Sequence, residues 1–270
     1  MPAWRASLPM YNLPEMRPAN AAFWAALREE LQGDVPGELP DELSFDRLPV
    51  PSAIEPENLF TQVCGYPLQT IYRGQARLLG VPSYTAPHCG PGLHAGVFIV
   101  AADAPYRSLG ELRGAHFVYN SRHSNSGMNL PRRALAELAG GGAFFASIAE
   151  THSQPGNIER VARGAADATC VDCVTYAFYC RHRPELGART RILAATPATP
   201  AIPFVTAVST PEPVVELLQA ALFRVARAAR WAGVREGLML ADILPPEVAD
   251  YPLQLRHEEE AATLGYAELR

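Results

Sequence analysis

The stretch Asn120-Ser121-Arg122-His123-Ser124-Asn125-Ser126-Gly127-Met128-Asn129 links a predicted strand, 116–119, to a predicted helix, 128–139. It holds three serines and three asparagines beside one glycine. The first turn of a helix has unpaired N–H groups and the positive end of the helix dipole, so it can receive an anion. Small polar residues at this position are also ordinary helix caps. The stretch therefore has two interpretations, a solvated cap or a cradle for a tetrahedral oxyanion.

The second interpretation assigns a role to four consecutive residues. Ser124, Asn125 and Ser126 supply side-chain donors, and Gly127 lets the backbone approach a ligand closely. Such a site needs neither lysine nor arginine to hold an oxyanion.

Two further strand-to-helix junctions carry polar side chains. His152 and Gln154 follow a predicted strand at 144–149, and Asp172 follows a predicted strand at 168–171. Ligands of open α/β sheets bind beyond the carboxyl ends of the strands, so these side chains are expected near the cradle. The alternatives are a surface position for His152 and a helix cap for Asp172.

Two tyrosines stand at turns in the first part of the chain. Tyr11 follows the first predicted strand, and Tyr66 lies in the sharp turn 64–67. We expect their hydroxyl groups to contact the same ligand from a second body. Tyr66 is equally compatible with a place at the edge of a core, where its hydroxyl meets backbone.

Strand and helix signals alternate along the chain, which indicates an α/β fold with two Rossmann-like lobes. The strand 96–101 leads out of the first lobe, and the proline-rich segment 196–203 leads back. Lobe 1 is then discontinuous, 1–102 plus 204–270, and lobe 2 is 103–203. The two connections form a hinge, and the ligand cleft lies between the lobes.

Three helices are predicted from their apolar spacing and capping residues. Residues 59–63 are predicted as a short helix, residues 158–162 as a helix capped by Asn157, and the longest helix begins near Thr210-Pro211-Glu212.

Composition excludes several functions. The formal net charge is -5, and all 23 basic residues are arginine, so neither a general nucleic-acid binder nor a lysine Schiff-base enzyme fits. There is no P-loop motif and no apolar run of about 20 residues, the length that crosses a bilayer.

Cysteine usage does not favour a metal site. Cys170 and Cys173 have CxxC spacing, but no second pair stands at matching spacing. Buried apolar cysteines are the simpler interpretation, and we expect no metal and no cofactor.

The first residues, MPAWRASLPMYNLPE, lack the basic and apolar regions of a signal peptide. Two locations stay open: the cytoplasm, or an exported protein whose leader has been removed.

Several segments together resemble a known family, the PhnD-like phosphate, phosphite and phosphonate substrate-binding proteins of ABC transporters. Their order and spacing carry the resemblance: Leu8-Pro9-Met10-Tyr11, Leu13-Pro14-Glu15, Gln62-Val63-Cys64-Gly65-Tyr66-Pro67, Asn120-Ser121, Ser124-Asn125-Ser126-Gly127-Met128-Asn129, Glu150-Thr151, Gly164-Ala165-Ala166-Asp167 and Asp172-Cys173-Val174-Thr175.

The resemblance implies a type 2 periplasmic binding protein that captures a small phosphorus oxyanion without catalytic turnover. It implies a protein that serves an ABC permease if exported, and a monomer is the default expectation for a hinged binding protein. Segment 124–127 would bind the oxyanion, Asp172 would face it, and Tyr11 and Tyr66 would close over it. Relatives usually have histidine near Gln154, whereas here the histidine is His152, and this departure leaves the ligand open.

Two other functions remain compatible with the same two-lobed fold. One is a leaderless cytoplasmic enzyme acting on a small anionic metabolite, for which Asp172, His152 and Glu150 are the only candidate acids or bases. The other is a cytoplasmic sensor that reports the ligand by lobe closure.

Overall fold

A computed structural model describes residues 4–31, 33–45 and 54–270. Within these residues the strands are β1 (Arg5–Ala6), β2 (Asn58–Gln62), β3 (Ala76–Tyr84), β4 (Leu93–His94), β5 (Gly96–Ala101), β6 (His116–Tyr119), β7 (Ser147–Glu150), β8 (Ala168–Asp172), β9 (Thr190–Ala195), β10 (Thr199–Pro200), β11 (Phe204–Ala207) and β12 (Leu240–Leu244). The α-helices are α1 (Arg17–Leu31), α2 (Gly65–Gln69), α3 (Leu130–Ala139), α4 (Gln154–Ala162), α5 (Cys173–His182), α6 (Pro184–Gly187), α7 (Glu212–Arg227), α8 (Ala232–Gly237) and α9 (Leu253–Thr263).

The chain forms two units. Unit 1 comprises 1–85, 89–93 and 200–250, and unit 2 comprises 86–88, 94–199 and 251–270. Strands β4 and β10 pair with each other, and the chain passes from one unit to the other within each of them. The two-stranded connection therefore uses β4 instead of the predicted strand 96–101, and β10 lies inside the predicted segment 196–203.

The unit boundaries differ from the predicted lobes most at 94–102 and 251–270, and residues 86–88 and 200–203 also fall in the other unit. Strand β5 was assigned to lobe 1, but it pairs with β8 and β9 inside the sheet of unit 2. The C-terminal segment 251–270 was also assigned to lobe 1, yet it belongs to unit 2. There Arg133 of α3 binds Glu260 of α9 at 2.5 Å. A sequence shows that a strand or an amphipathic helix exists, but not which sheet it packs on.

Unit 1 is built on a five-stranded sheet in the order β1-β2-β11-β3-β12. Helices α1 and α7 are amphipathic and bury one face each. Aromatic rings fill the core: Phe60 lies 5.3 Å from Phe204 and 5.8 Å from Trp24, and Phe23 lies 5.5 Å from Phe204, between ring centroids. The core of unit 1 is therefore assembled from distant parts of the sequence.

Unit 2 has a five-stranded sheet in the order β7-β6-β8-β5-β9. Strands β7, β6 and β8 are parallel, and β5 runs antiparallel to β8 and β9. The carboxyl ends of the three parallel strands share one edge of the sheet. The segments that follow these ends are the polar junctions identified in the sequence.

Several predicted elements are confirmed, among them β5, β6 and the helix at 158–162, although the start of that helix differs; the helix predicted at 59–63 is wrong. Residues 59–63 fall mainly in strand β2, because a short apolar run does not distinguish strand from helix. The helix predicted to begin after Asn157 begins at Gln154 instead, where Ser153 is the cap and Pro155 occupies the first turn. Part of the connection before β2, residues 46–53, lies outside the described residues.

In the part of the chain that the structure describes, every helix is too short or too polar for a membrane-spanning segment.

Candidate functional site

The cradle, residues 124–127, lies between β6 and α3 and overlaps a wide helical turn, Asn125–Asn129. Ser124 precedes this turn with an extended backbone, and its Oγ accepts a hydrogen bond from the N–H of Gly127 at 3.0 Å. The serine is thus the helix cap that the first interpretation predicted. Capping alone does not exclude the second interpretation, because the hydroxyl proton of Ser124 stays available as a donor.

The turn leaves main-chain donors without intrahelical partners. Its first helical hydrogen bond runs from the N–H of Asn129 to the carbonyl oxygen of Ser124, at 3.0 Å. The N–H groups of Asn125 and Ser126 come before this bond, so no carbonyl of the helix is placed to accept them. An anion is the kind of ligand that such N–H groups bind.

Glycine at position 127 lets the loop pack closely against the side chain of Asn120. A Cβ atom there would lie 1.9 Å from Oδ1 of Asn120 and 3.0 Å from Oγ of Ser124. Asn120 is 3% exposed, and its Oδ1 has no hydrogen-bond partner. The absence of a side chain therefore serves the close contact with Asn120, whereas the sequence pattern predicts only a close approach to a ligand.

The side chain of Asn125 holds the loop to the rest of unit 2. Its Nδ2 donates to Oγ1 of Thr199 at 3.1 Å, and its Oδ1 accepts from Nδ2 of Asn129 at 3.1 Å. Asn125 is fully buried. Of this residue, the main-chain N–H is the group left for a ligand.

Gln154 links Ser126 to the start of α5. Its Nε2 donates to Oγ of Ser126 at 2.9 Å, and its Oε1 accepts from the N–H of Asp172 at 3.0 Å. Because Ser126 Oγ accepts from Gln154, its own proton is free to donate elsewhere. Gln154 therefore orients Ser126 as a donor.

Asp172 caps helix α5 and binds a buried histidine. Its Oδ1 accepts from the N–H groups of Val174 and Thr175 at 2.8 and 3.2 Å, and its Oδ2 is hydrogen-bonded to Nδ1 of His94. The side chains of Asp172 and His94 are each 2% exposed. The predicted cap is therefore present, and Asp172 adjoins the cradle through Gln154; its contact with a ligand stays a prediction.

The pKa of His94 reflects this pairing. Burial lowers the pKa of the imidazole, but the charge of Asp172 and the hydrogen bond to it have the larger combined effect, so the pKa is raised above 6.5. The pairing with Asp172 therefore favours the protonated form of His94.

Sequence reasoning missed His94. The residue stands two positions before Gly96, and Gly96 is the register partner of Asp172 across the antiparallel pair of β5 and β8. A lone histidine before an apolar run carries no signal in the sequence. Only the pairing of two strands about 75 residues apart places it beside the carboxylate.

His152 is placed differently from the other predicted residues of unit 2. Its side chain is 81% exposed, and its Nδ1 lies 3.9 Å from Oε1 of Glu150. Its backbone has a positive φ of 63°, and its N–H donates to the carbonyl oxygen of Asn120. It takes no part in the network of Ser126, Gln154 and Asp172.

Tyr11 and Tyr66 belong to unit 1. The ring of Tyr11 packs edge-on against Tyr84, with centroids 5.3 Å apart, and Tyr66 lies in α2 with 6% of its surface exposed. Their contact with a ligand stays a prediction.

The CxxC cysteines lie within the core of unit 2. Cys170 and Cys173 are buried, and the Sγ of Cys173 accepts from the N–H of Ala95 at 3.5 Å. Burial raises the pKa of the Cys170 thiol. Over residues 4–31, 33–45 and 54–270, no group of three or more His, Cys, Asp or Glu side chains is arranged to hold a metal ion.

The cradle can therefore offer hydrogen-bond donors to an oxyanion, but its carboxylate is poorly placed for proton transfer. The donors are the hydroxyls of Ser124 and Ser126 and the main-chain N–H groups of Asn125 and Ser126. Asp172 is occupied as a helix cap and as the partner of His94, so it is not poised as a general base.

Residues 73–251, more than half of the chain, match a protein family described as "ABC transporter, phosphonate, periplasmic substrate-binding protein". No curated protein matches the sequence.

Solved structures share the fold at low sequence identity. A binding protein component of an ABC phosphonate transporter from Pseudomonas aeruginosa (PA3383) has a TM-score of 0.72 at 14% identity, covering 97% of this chain and 93% of that chain. XAC2383 from Xanthomonas citri bound to ATP has a TM-score of 0.65 at 19% identity and 96% coverage of both chains.

A third similar structure is PhnD1 from Prochlorococcus marinus in complex with methylphosphonate. Its TM-score is 0.57 at 15% identity, covering 90% of this chain and 84% of that chain. These likenesses establish the type 2 periplasmic binding protein fold.

Proposed function

We propose that this chain, which belongs to the periplasmic phosphonate-binding proteins of ABC transporters, binds the oxyanion of a small phosphonate, phosphite or phosphate at the cradle of unit 2. The observation that carries this proposal is the hydrogen bond from Gln154 Nε2 to Ser126 Oγ at 2.9 Å. This bond fixes Ser126 as a donor at the turn where unpaired main-chain N–H groups are also found.

The binding chemistry follows from these donors. The hydroxyls of Ser124 and Ser126 and the N–H groups of Asn125 and Ser126 each donate to an oxyanion oxygen. Hydrogen bonds to an ionised acceptor are shorter and stronger than neutral ones. Several of them hold a tetrahedral oxyanion without any arginine or lysine. Gly127 contributes by permitting the tight fold of the loop, and Tyr11 and Tyr66 remain proposed contacts from unit 1.

The protein acts as a solute-binding protein and does not convert its ligand chemically. The side chain of Asp172 is engaged by His94 and by two N–H groups of α5. The best-placed candidate base of unit 2 is therefore already hydrogen-bonded within the protein. His152 is exposed and outside the cradle network. We further propose that the protein is a monomer that acts in the periplasm and delivers its ligand to an ABC permease, as its family does.

A thermal-shift titration tests the ligand class. We expect phosphate, phosphite, methylphosphonate or 2-aminoethylphosphonate to raise the melting temperature, because a ligand at 100 times its Kd stabilises the folded state by about 2.7 kcal/mol. The variant Ser126→Val should bind at least about tenfold more weakly, since it loses one hydrogen bond to a charged acceptor.

The matched control is Ser121→Ala in the same loop, whose Oγ accepts only the N–H of His123 in this structure. Its affinity should stay within about threefold of the wild type. If none of the four oxyanions produces a shift in the wild type, the proposed function is wrong. Recovery of a chemically altered ligand, seen by phosphorus NMR, would favour the enzyme instead.

A further inference from the structure

The carboxylate of Asp172 has little capacity left for a ligand. A carboxylate offers about four lone-pair positions. Two N–H groups at the start of α5 occupy Oδ1, His94 occupies Oδ2, and the side chain is 2% exposed. A ligand cation would therefore meet a carboxylate that is buried and already paired with His94.

The same pairing compensates the charge of the carboxylate. Two buried groups that form an imidazolium–carboxylate pair are together neutral. The raised pKa of His94 agrees with this state, and the other titratable group that raises it is the buried Cys173. Asp172 is connected to Ser126 through Gln154, so an uncompensated negative charge here would repel an anion at the cradle. With His94 present, this repulsion is cancelled.

The consequences differ between two classes of phosphorus oxyanion. Alkylphosphonates, phosphite and phosphate need hydrogen-bond donors and the absence of a nearby negative charge. Aminoalkylphosphonates also carry an ammonium group, which gains affinity only if an accessible carboxylate or another acceptor receives it.

We propose that His94 is a specificity-determining residue: by occupying Asp172 it makes unit 2 select phosphorus oxyanions that carry no ammonium group. This inference rests on the proposed function, because it concerns the ligand of the same cradle. His94 acts through Asp172 and does not itself contact the ligand.

The test compares methylphosphonate with 2-aminoethylphosphonate by isothermal titration calorimetry. In the wild type, methylphosphonate should bind at least as tightly. His94→Ala leaves Asp172 without its imidazolium partner, so the ratio of the two affinities should shift toward 2-aminoethylphosphonate by at least about tenfold. The double variant His94→Ala/Asp172→Asn should return to the wild-type ratio, since the carboxylate is gone.

Asp172→Asn alone keeps the proposal testable if His94→Ala does not fold. Asparagine still caps α5 and His94 becomes neutral, so the pair stays uncharged and the affinity ratio should stay within about threefold of the wild type. A selective loss of 2-aminoethylphosphonate in Asp172→Asn would overturn the proposal, because it would mean that the carboxylate already binds the ammonium group.

The outcomes separate this inference from the proposed function. If the wild type binds none of methylphosphonate, 2-aminoethylphosphonate, phosphite and phosphate, the proposed function is refuted. A wild type that binds 2-aminoethylphosphonate more tightly than methylphosphonate refutes only the role of His94.

Discussion

The substitution Gln154→Glu separates the two possible roles of Gln154, a packing residue or the group that orients Ser126. Glutamate has nearly the same shape and still accepts the N–H of Asp172. Its second oxygen cannot donate to Ser126, so the serine proton turns toward the carboxylate and is lost to the ligand. We expect binding of oxyanions to fall sharply while the fold is retained.

The size of the loss has two parts. One hydrogen bond from a hydroxyl to a charged oxygen contributes about 1.5–3 kcal/mol. The new carboxylate would also lie close to the bound oxyanion. Gln154 Nε2 is 2.9 Å from Ser126 Oγ, and an oxyanion on Ser126 lies a further hydrogen-bond length away, so two like charges face each other at about 5 Å. At an effective dielectric constant of ~20 their repulsion is about 3 kcal/mol, reduced by solvent. Together these effects predict a rise in Kd of at least about 100-fold.

The assay is isothermal titration calorimetry with methylphosphonate, and Gln154→Met is the control. Methionine is uncharged and leaves the proton of Ser126 available, so its Kd should rise by about tenfold or less. The loss in Gln154→Glu should diminish as the pH falls toward the carboxyl pKa of about 4.3, where a protonated glutamic acid can again donate to Ser126. Equal affinities for the glutamate and methionine variants would contradict the orienting role of Gln154.

Two other predictions concern stability. Gly127→Ala places a methyl group 1.9 Å from Oδ1 of Asn120. We expect the free energy of unfolding, measured in urea, to fall by about 1–3 kcal/mol. An unchanged unfolding midpoint would show that the loop repacks freely. In unit 1, Glu30 is 4% exposed and accepts hydrogen bonds from Arg224, Arg230 and Trp231; burial opposes its charge, but these bonds outweigh it and lower its pKa below 4.5. The ionised Glu30 contributes its full stabilisation above pH 4.5, and this stabilisation is lost as the pH falls through the lowered pKa. Glu30→Gln should therefore lower the free energy of unfolding by about 1–3 kcal/mol at pH 7 and by less at pH 3. An equal loss at both pH values would contradict this assignment.

The local elements of unit 2 could be predicted because each has a local cause. Strands β5 and β6 appear as short apolar runs bounded by polar residues or glycine. The polar stretch after β6 ends in a helix because Ser124 caps it. The start of α4 was misplaced because Ser153 and Asn157 are both acceptable caps, and the choice depends on the hydrogen bond that Ser153 makes with the N–H of Gly156.

The sequence by itself determined the α/β class, the polar junctions at the carboxyl ends of three strands, and the family to which the chain belongs. These follow from local periodicity, capping and the order of short motifs. The tertiary structure alone decided which polar atoms remain for a ligand. Asn125 is engaged by Thr199, Asp172 by His94 and Gln154 by Ser126. Such pairings join residues that are far apart in the chain, and only strand pairing and helix packing bring their donors and acceptors within 3 Å or so of each other.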